Sequence, residues 1–243
     1  MIHSGRHRYK THAGIPHGST NNLAGDELSF YYQWKEGCAV AQWDDQSPNN
    51  RHATQGTSGN QAEIAADGSL DLELDNADHY DFTEVAIVDE EDFVIWVVFD
   101  LETSSANSTI FGMGTAAHFL ELKGGGDTVR IKLANSNTEI APGDGTNNDF
   151  ASSAGKMVVT IHREGGGTGN LILYKNGVLL AQDSQANNSK DAEFTMIGVR
   201  SGDRYFDGKI YDMAFVQQGG APAAHISRIN TYLCAKHGIS ETL

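Results

Sequence analysis

Four groups of residues have the types and spacing to do chemistry. The first is Glu73-Leu74-Asp75-Asn76-Ala77-Asp78. Alternation along a strand puts Glu73 and Asp75 on one face, and retaining glycosidases use two carboxyl groups about 5 Å apart, one as nucleophile and one as acid. The same residues also read as a turn closing a half-buried strand, with the acids facing solvent. The second group is Arg200, Asp203, Arg204 and Tyr205, which puts guanidinium, carboxylate and aromatic ring on one loop, the mixture that glycan recognition uses. Trp34, with Tyr31 and Tyr32, is a further aromatic cluster. The competing reading of both is packing against the N-terminal segment or a neighbouring subunit.

The third group, Asp144, Asn147, Asn148 and Asp149, offers oxygen ligands to a hard cation. Its spacing matches no EF-hand loop, and Asp, Asn and Gly also make ordinary turns. The fourth, His3, His7, His12 and His17, recurs every four or five residues without a Cys or carboxylate to complete a transition-metal set. No metal site is assigned from these groups, and no cofactor. Gly124-Gly125-Gly126 and Gly165-Gly166-Gly167 read as hairpin loops, because no strand-to-helix step surrounds them as a phosphate cradle requires. The remaining histidines support no triad, so the reading is of a non-enzymatic chain.

Composition narrows the partners. The 243 residues carry 17 basic and 32 acidic side chains, a formal charge of −15, which disfavours general binding to nucleic acid or to an anionic membrane. With 27 Gly and 4 Pro the chain is globular and turn-rich. Arg6, Arg8 and Lys10 fall in a leader with no acid before Asp26, so the body is more acidic than the average. Met1 to Gly18 has no apolar core of a secretory signal. Export therefore points to lysis or assembly. Cys38 and Cys234 read as two reduced thiols, Cys234 on an apolar helix face.

The elements that must position these groups are mostly strands. Residues 1–26 form a basic, His-rich arm with little to bury, expected to be disordered alone. Residues 27–243 form the globular domain. Val40-Ala41-Gln42-Trp43 predicts a short strand, and Ser69 to Leu74 alternates with three leucines on one face. Phe93 to Phe99 is apolar on both faces, as a strand covered on both sides would be. Asn176-Gly177 between Leu171-Tyr174 and Val178-Leu180 predicts a type I′ hairpin. Gly208 to Val216 predicts a closing strand, its apolar load on Ile210, Met213 or Ala214, and Phe215. One helix is predicted over 222–237, with Ile226, Ile229 and Leu233 as its apolar stripe and Gly238 as its stop. Regular short strands with turn chemistry between them predict an all-β sandwich of two antiparallel sheets.

Ala66 to Leu72, Asp78-His79-Tyr80, Asp92 to Trp96, Leu173 to Gly177 and Phe206 to Ile210 resemble, in order, segments of the concanavalin A-like, laminin-G-type jelly-roll family. The resemblance covers about residues 35 to 243. It departs from the family at Lys156-Met157, where a Trp often opens the strand. Val40 to Ser47 and Ile229 to Gly238 are similar to segments of jelly-roll modules in tailed-phage virion proteins. That resemblance implies a virion structural or decoration protein of head, neck or tail, held to other virion proteins and copies of itself by Arg6, Arg8 and Lys10 of the arm. It leaves open an adhesin that recognises surface polysaccharide. Family members often bind calcium at a sandwich rim, which gives no site here.

Overall fold

The computed structural model describes residues 28–87, 92–104, 106–125, 128–134, 136–140, 150–164, 170–183, 191–217 and 223–241. The arm with Arg6, Arg8 and Lys10, the four arm histidines and the Asp144 to Asp149 cluster lie outside the described residues. The strands run β1 (Leu28–Tyr32), β2 (Cys38–Ala39), β3 (Gln42–Trp43), β4 (Ala53–Thr54), β5 (Glu63–Ile64), β6 (Leu70–Leu72), β7 (Tyr80–Ile87), β8 (Phe93–Leu101) and β9 (Ser108–Gly112). They continue as β10 (Phe119–Leu122), β11 (Val129–Leu133), β12 (Ser136–Ile140), β13 (Met157–Arg163), β14 (Leu171–Lys175), β15 (Val178–Asp183), β16 (Ala192–Ile197) and β17 (Gly208–Gln217). A helix, α1 (Ala223–His237), follows.

Two antiparallel sheets result. The first has the order β15-β14-β13-β8-β17-β6-β5, with β1 also pairing β17; the second has the order β12-β11-β10-β9-β16-β7-β4-β3-β2. The two-sheet β-sandwich with one C-terminal helix is the architecture that strand spacing predicts. Its inner faces share one core, in which Phe30 stacks on Phe215 and Phe215 on Phe93, with Phe111, Phe194 and Ile210 around them. Aromatic rings dominate because each buries more apolar area than an aliphatic side chain.

Local chemistry explains most of the element ends. At Asn176-Gly177 both φ values are positive, 50° and 82°, as a type I′ turn requires. Asn176 adds a clasp: its side-chain oxygen accepts the Val158 N–H at 3.0 Å while its backbone N–H donates to the Val158 carbonyl at 2.8 Å. The hairpin is thereby tied to β13 as well as to itself. Trp43 is fully buried as expected, but the strand predicted over 40–43 is a two-strand hairpin: Val40 and Ala41 form the turn between β2 and β3, and Val40 is exposed. Ser69 to Leu74 is also shorter than expected. β6 ends at Leu72, because Asp78 accepts the Glu73 N–H at 2.9 Å and folds the chain into a turn through Ala77, whose φ is 58°.

Phe93 to Leu101 is the central strand that its two apolar faces predict. Phe93, Ile95, Val97 and Phe99 enter the inter-sheet core, while Val94, Trp96 and Val98 lie under α1 with Ile226, Ile229 and Leu233. Burying each of those three helix residues contributes about 2 kcal/mol. α1 ends in a Schellman arrangement: Gly238 takes φ 67°, its N–H reaches the Ala235 carbonyl, and the Ile239 N–H reaches the Cys234 carbonyl at 2.8 Å. The two cysteines are free, Cys38 against the inter-sheet core and Cys234 on the buried face of the helix.

A bulge in β17 sets where the helix docks. The register with β8 shifts between Ile210 and Asp212, so Met213 and Phe215 turn into the core and Ala214 faces the helix. Tyr211 and Asp212 then both face the helix side. Asp212 is 1% exposed and accepts the Trp34 N–H at 2.8 Å, Lys236 Nζ at 2.8 Å and a hydrogen bond from His237. Burial alone would raise its carboxyl, but His237 and Lys236 outweigh that and hold it below the ordinary carboxylate range.

Candidate functional site

α1 packs on the outer face of the first sheet, and on the outer face of the second a cluster of charged side chains meets the loop that carries Arg200 to Tyr205. On β10 the inward residues are Leu120 and Leu122, so alternation turns Phe119 and Glu121 outward; on β11 it turns Arg130 and Lys132 outward. Glu121 stands opposite Arg130 on one side and Thr109 on the other. Despite its outward position Glu121 is fully buried. Arg130 and Arg200 close over it, Arg130 in direct ion pairing and Arg200 Nε at 3.4 Å, and the Asn107 amide donates to it at 3.1 Å. The same guanidinium of Arg200 lies 4.1 Å from the centre of the Phe119 ring.

The loop from Val199 to Asp207 is held at its base and open at its tip. Ser201 donates its N–H to the Met113 carbonyl at 3.0 Å, and Phe206 donates to Gly198 at 2.7 Å while its ring is buried against Phe99. Gly112 lets the loop sit this close: a Cβ there would stand 2.2 Å from the Val199 carbonyl oxygen. The tip takes left-handed backbone at Ser201, Gly202 and Arg204, and Tyr205 OH donates to the Gly202 carbonyl at 3.1 Å. Such a loop is preformed rather than adaptable. Asp203 and Arg204 are exposed, and Tyr205 is half-buried beside His79, ring centres 6.2 Å apart. His79 in turn lies against Gln55, whose side chain donates to the His79 carbonyl. Burial lowers the Arg200 guanidinium from its ordinary value, and Glu121 opposes that shift.

Of the residues singled out for recognition, the structure brings Arg200, Asp203, Arg204 and Tyr205 together and leaves Trp34 apart. Trp34 is half-buried on the helix side of the first sheet, its ring against Tyr211 and His237, with Lys35 Nζ 3.9 Å from the ring centre. Tyr31 and Tyr32 are buried on opposite faces of β1, so no exposed aromatic plate forms there. Glu121, Arg130, Lys132 and Phe119 escaped the sequence reading. Their one signal is the alternation of Val129-Arg130-Ile131-Lys132-Leu133 beside a buried-looking Phe-Leu-Glu-Leu, which pairs charge with charge only once the hairpin register is known.

The carboxylate pair Glu73 and Asp75 does not form. Asp75 is exposed in the turn, and Glu73 meets Asp71 and Glu102 instead, the three offering oxygens within 4.8 Å of one another. Burial, then Glu102 and Asp207, raise the Glu73 carboxyl above its ordinary value. Lys209 stands among these acids, 3.6 Å from Asp71 and 3.1 Å from Glu102. Its ammonium occupies the place a calcium ion would need, so this cluster does not fit the ion.

No family model matches this chain. No curated protein matches its sequence. Solved structures match its fold. The binding domain of Paraclostridial Mosquitocidal Protein 1 aligns over 86% of this chain and 52% of its own, with 14% identity and a TM-score of 0.59. Domain 4 of AbnA, a GH43 extracellular arabinanase from Geobacillus stearothermophilus solved with arabinotriose, aligns over 84% of this chain and 98% of its own, with 13% identity and a TM-score of 0.58. The ligand binding domain of botulinum neurotoxin serotype D, solved with N-acetylneuraminic acid, aligns over 86% of this chain and 52% of its own, with 12% identity and a TM-score of 0.56. The chain spans about half the length of the toxin binding domains it matches. At these identities the likeness is one of fold. The shared fold is the two-sheet antiparallel β-sandwich, and two of these three neighbours are binding domains of toxins.

Proposed function

We propose that this chain is a carbohydrate-binding sandwich, a binding rather than a catalytic domain. The observation that carries the reading is the preformed loop from Arg200 to Tyr205, which presents an exposed guanidinium, an exposed carboxylate and a half-buried aromatic ring at the margin of the second sheet's outer face. Neighbours of the same fold solved with arabinotriose and with N-acetylneuraminic acid support it. A ring that stacks on a sugar face and a charged group that bonds its hydroxyls are the usual division of labour in such sites. A glycan array with the wild type and Tyr205→Ala tests the reading. The expected result is binding to a subset of glycans, weakened about tenfold by loss of one stacking contact. No binding by the wild type to any glycan refutes it.

One observation favours a second reading, a virion decoration protein. The leader carries Arg6, Arg8 and Lys10 with no acid before Asp26, while the whole chain is at −15, so the leader suits an acidic partner surface such as a copy of this body. Surface polysaccharide would then be met from the particle. Deletion of residues 1–25 should leave a folded domain that no longer joins the particle; a truncated protein that still assembles rejects this reading.

A further inference from the structure

Three cations converge on one ring on the outer face of the second sheet. Arg200, Arg130 and Lys132 place their charged ends 4.1, 5.2 and 5.6 Å from the centre of Phe119. Inside this group a single carboxylate, Glu121, balances them, and it is fully buried beneath the arginines. Further acids sit at the rim, with Asp191 and Glu193 beside His118 on the Lys132 side. Glu139 is 3.9 Å from Arg130 and 44% exposed, and Asp203 is 3.7 Å from Arg200 and 64% exposed. Pairs so long and so wet contribute little.

The hydrogen-bond geometry leaves the same group unfinished. Among the described residues, Arg130 Nε and the Thr109 hydroxyl beside Glu121 are buried without a hydrogen bond, and Arg200 Nε and Glu121 Oε2 face each other at 3.4 Å as an ion pair too long to be one. Lys132 makes no ion pair among the described residues. On a chain carrying −15, this is a clustering of three cations around an aromatic floor, next to the loop that carries Arg204.

We propose that the face around Phe119 is an anion subsite, through which the sandwich selects acidic saccharides that carry a carboxylate. The inference rests on the carbohydrate-binding reading and names its ligand class. A sugar carboxylate entering here displaces the weak rim contacts of Glu139 and Asp203 and receives the fork of a guanidinium and the ammonium of Lys132. Glu121 stays in place as the counter-charge that fixes both arginines in orientation. The neighbouring Tyr205 supplies the apolar contact to the ring.

Titration calorimetry on the full chain tests this with two matched pairs of probes: trigalacturonate against galactotriose, and sialyllactose against lactose. The expected result is about tenfold tighter binding of the acidic member of at least one pair, the difference of one charge-assisted contact. Lys132→Gln, which touches neither Glu121 nor the core, should remove most of that preference, and Arg200→Lys, which keeps the charge over Glu121, should weaken acidic binding more than neutral binding. Arg228→Gln, on the exposed side of α1, should change nothing. Thermal melting of each variant confirms that it is folded. Equal affinity for acidic and neutral members, or a preference that survives Lys132→Gln and Arg200→Lys, overturns the subsite and leaves the carbohydrate reading standing. Failure of all four probes together with a blank glycan array overturns both.

Discussion

The buried carboxylate that fastens α1 to the first sheet gives the most quantitative prediction. Asp212 is 1% exposed and receives the Trp34 N–H, Lys236 Nζ and His237 Nε2, with His237 fully buried and Lys236 14% exposed. Removing one partner of a buried ionic group costs about 3–5 kcal/mol, because the remaining charge is left without a counter-ion. Asp212→Asn keeps the shape and one acceptor, and the Lys236 ammonium can turn toward water, so the low end, about 3 kcal/mol, applies. For a chain of this length an unfolding entropy of about 0.5 kcal/mol/K turns that into a fall of about 6 °C in Tm. Differential scanning calorimetry reads it directly. Asp212→Asn combined with Lys236→Met should recover part of the loss by removing the orphaned charge. The sign with pH is also fixed: the folded carboxyl is held below its unfolded value of about 3.9, so its contribution is full above that value and fades as acid protonates the folded group. The gap in Tm between wild type and Asp212→Asn should therefore be constant near neutrality and close below about pH 4. A variant that melts within about 1 °C of the wild type at pH 7 would refute the idea that this ionic clasp holds the helix.

Burial lowers the His162 pKa in the folded state, and its Nε2 is buried without a hydrogen bond. The unfolded chain thus takes up protons first as pH falls through about 6.5, and stability is lost in that window. His162→Leu should be neutral or stabilising at pH 8 and gain on the wild type by pH 5, as followed by melting temperature; an unchanged difference rejects the assignment. Gly112→Ala would drive its methyl into the Val199 carbonyl. It should lower stability by about 1–3 kcal/mol and displace the Arg200 loop, so urea unfolding and glycan binding should fail together. Burial pushes the Cys38 and Cys234 thiols up to about 11, so neither should react with a disulfide reagent at pH 7.5 until urea unfolds the chain. Rapid reaction of the native protein would contradict their placement.

How much of this was legible in the sequence depends on the range of the interaction. The Asn176-Gly177 hairpin, the doubly apolar Phe93 to Phe99 strand, which runs on to Leu101, and the Ile226, Ile229, Leu233 stripe were read correctly, because each is a local pattern whose meaning does not depend on distant residues. The closing strand shows the limit. Strict alternation from Ile210 would have sent Ala214 inward, and only the bulge against β8 turns Met213 and Phe215 to the core. The pairing of Glu73 with Asp75 failed for a similar reason: Asp78, five residues on, captures the Glu73 N–H and folds the chain, and the acids that Glu73 meets come from β6 and from just beyond β8.

The candidate site divides in the same way. The loop proposed for recognition, Arg200 to Tyr205, stands out in the sequence because its charged and aromatic residues are adjacent in the chain. The cluster proposed beneath it does not. Glu121, Arg130 and Arg200 are separated by up to 79 residues, and their meeting follows from hairpin register and from the close approach that Gly112 permits.

The amino-acid sequence by itself determined the sandwich, its turns and the polarity of each strand face, because those depend on side-chain period and on backbone preferences of single residues. Only the tertiary structure decided which outer face α1 packs on and which charges meet on the other. Those outcomes depend on register and on the packing of segments far apart in the chain, where one residue of slip reverses the facing of every side chain in a strand.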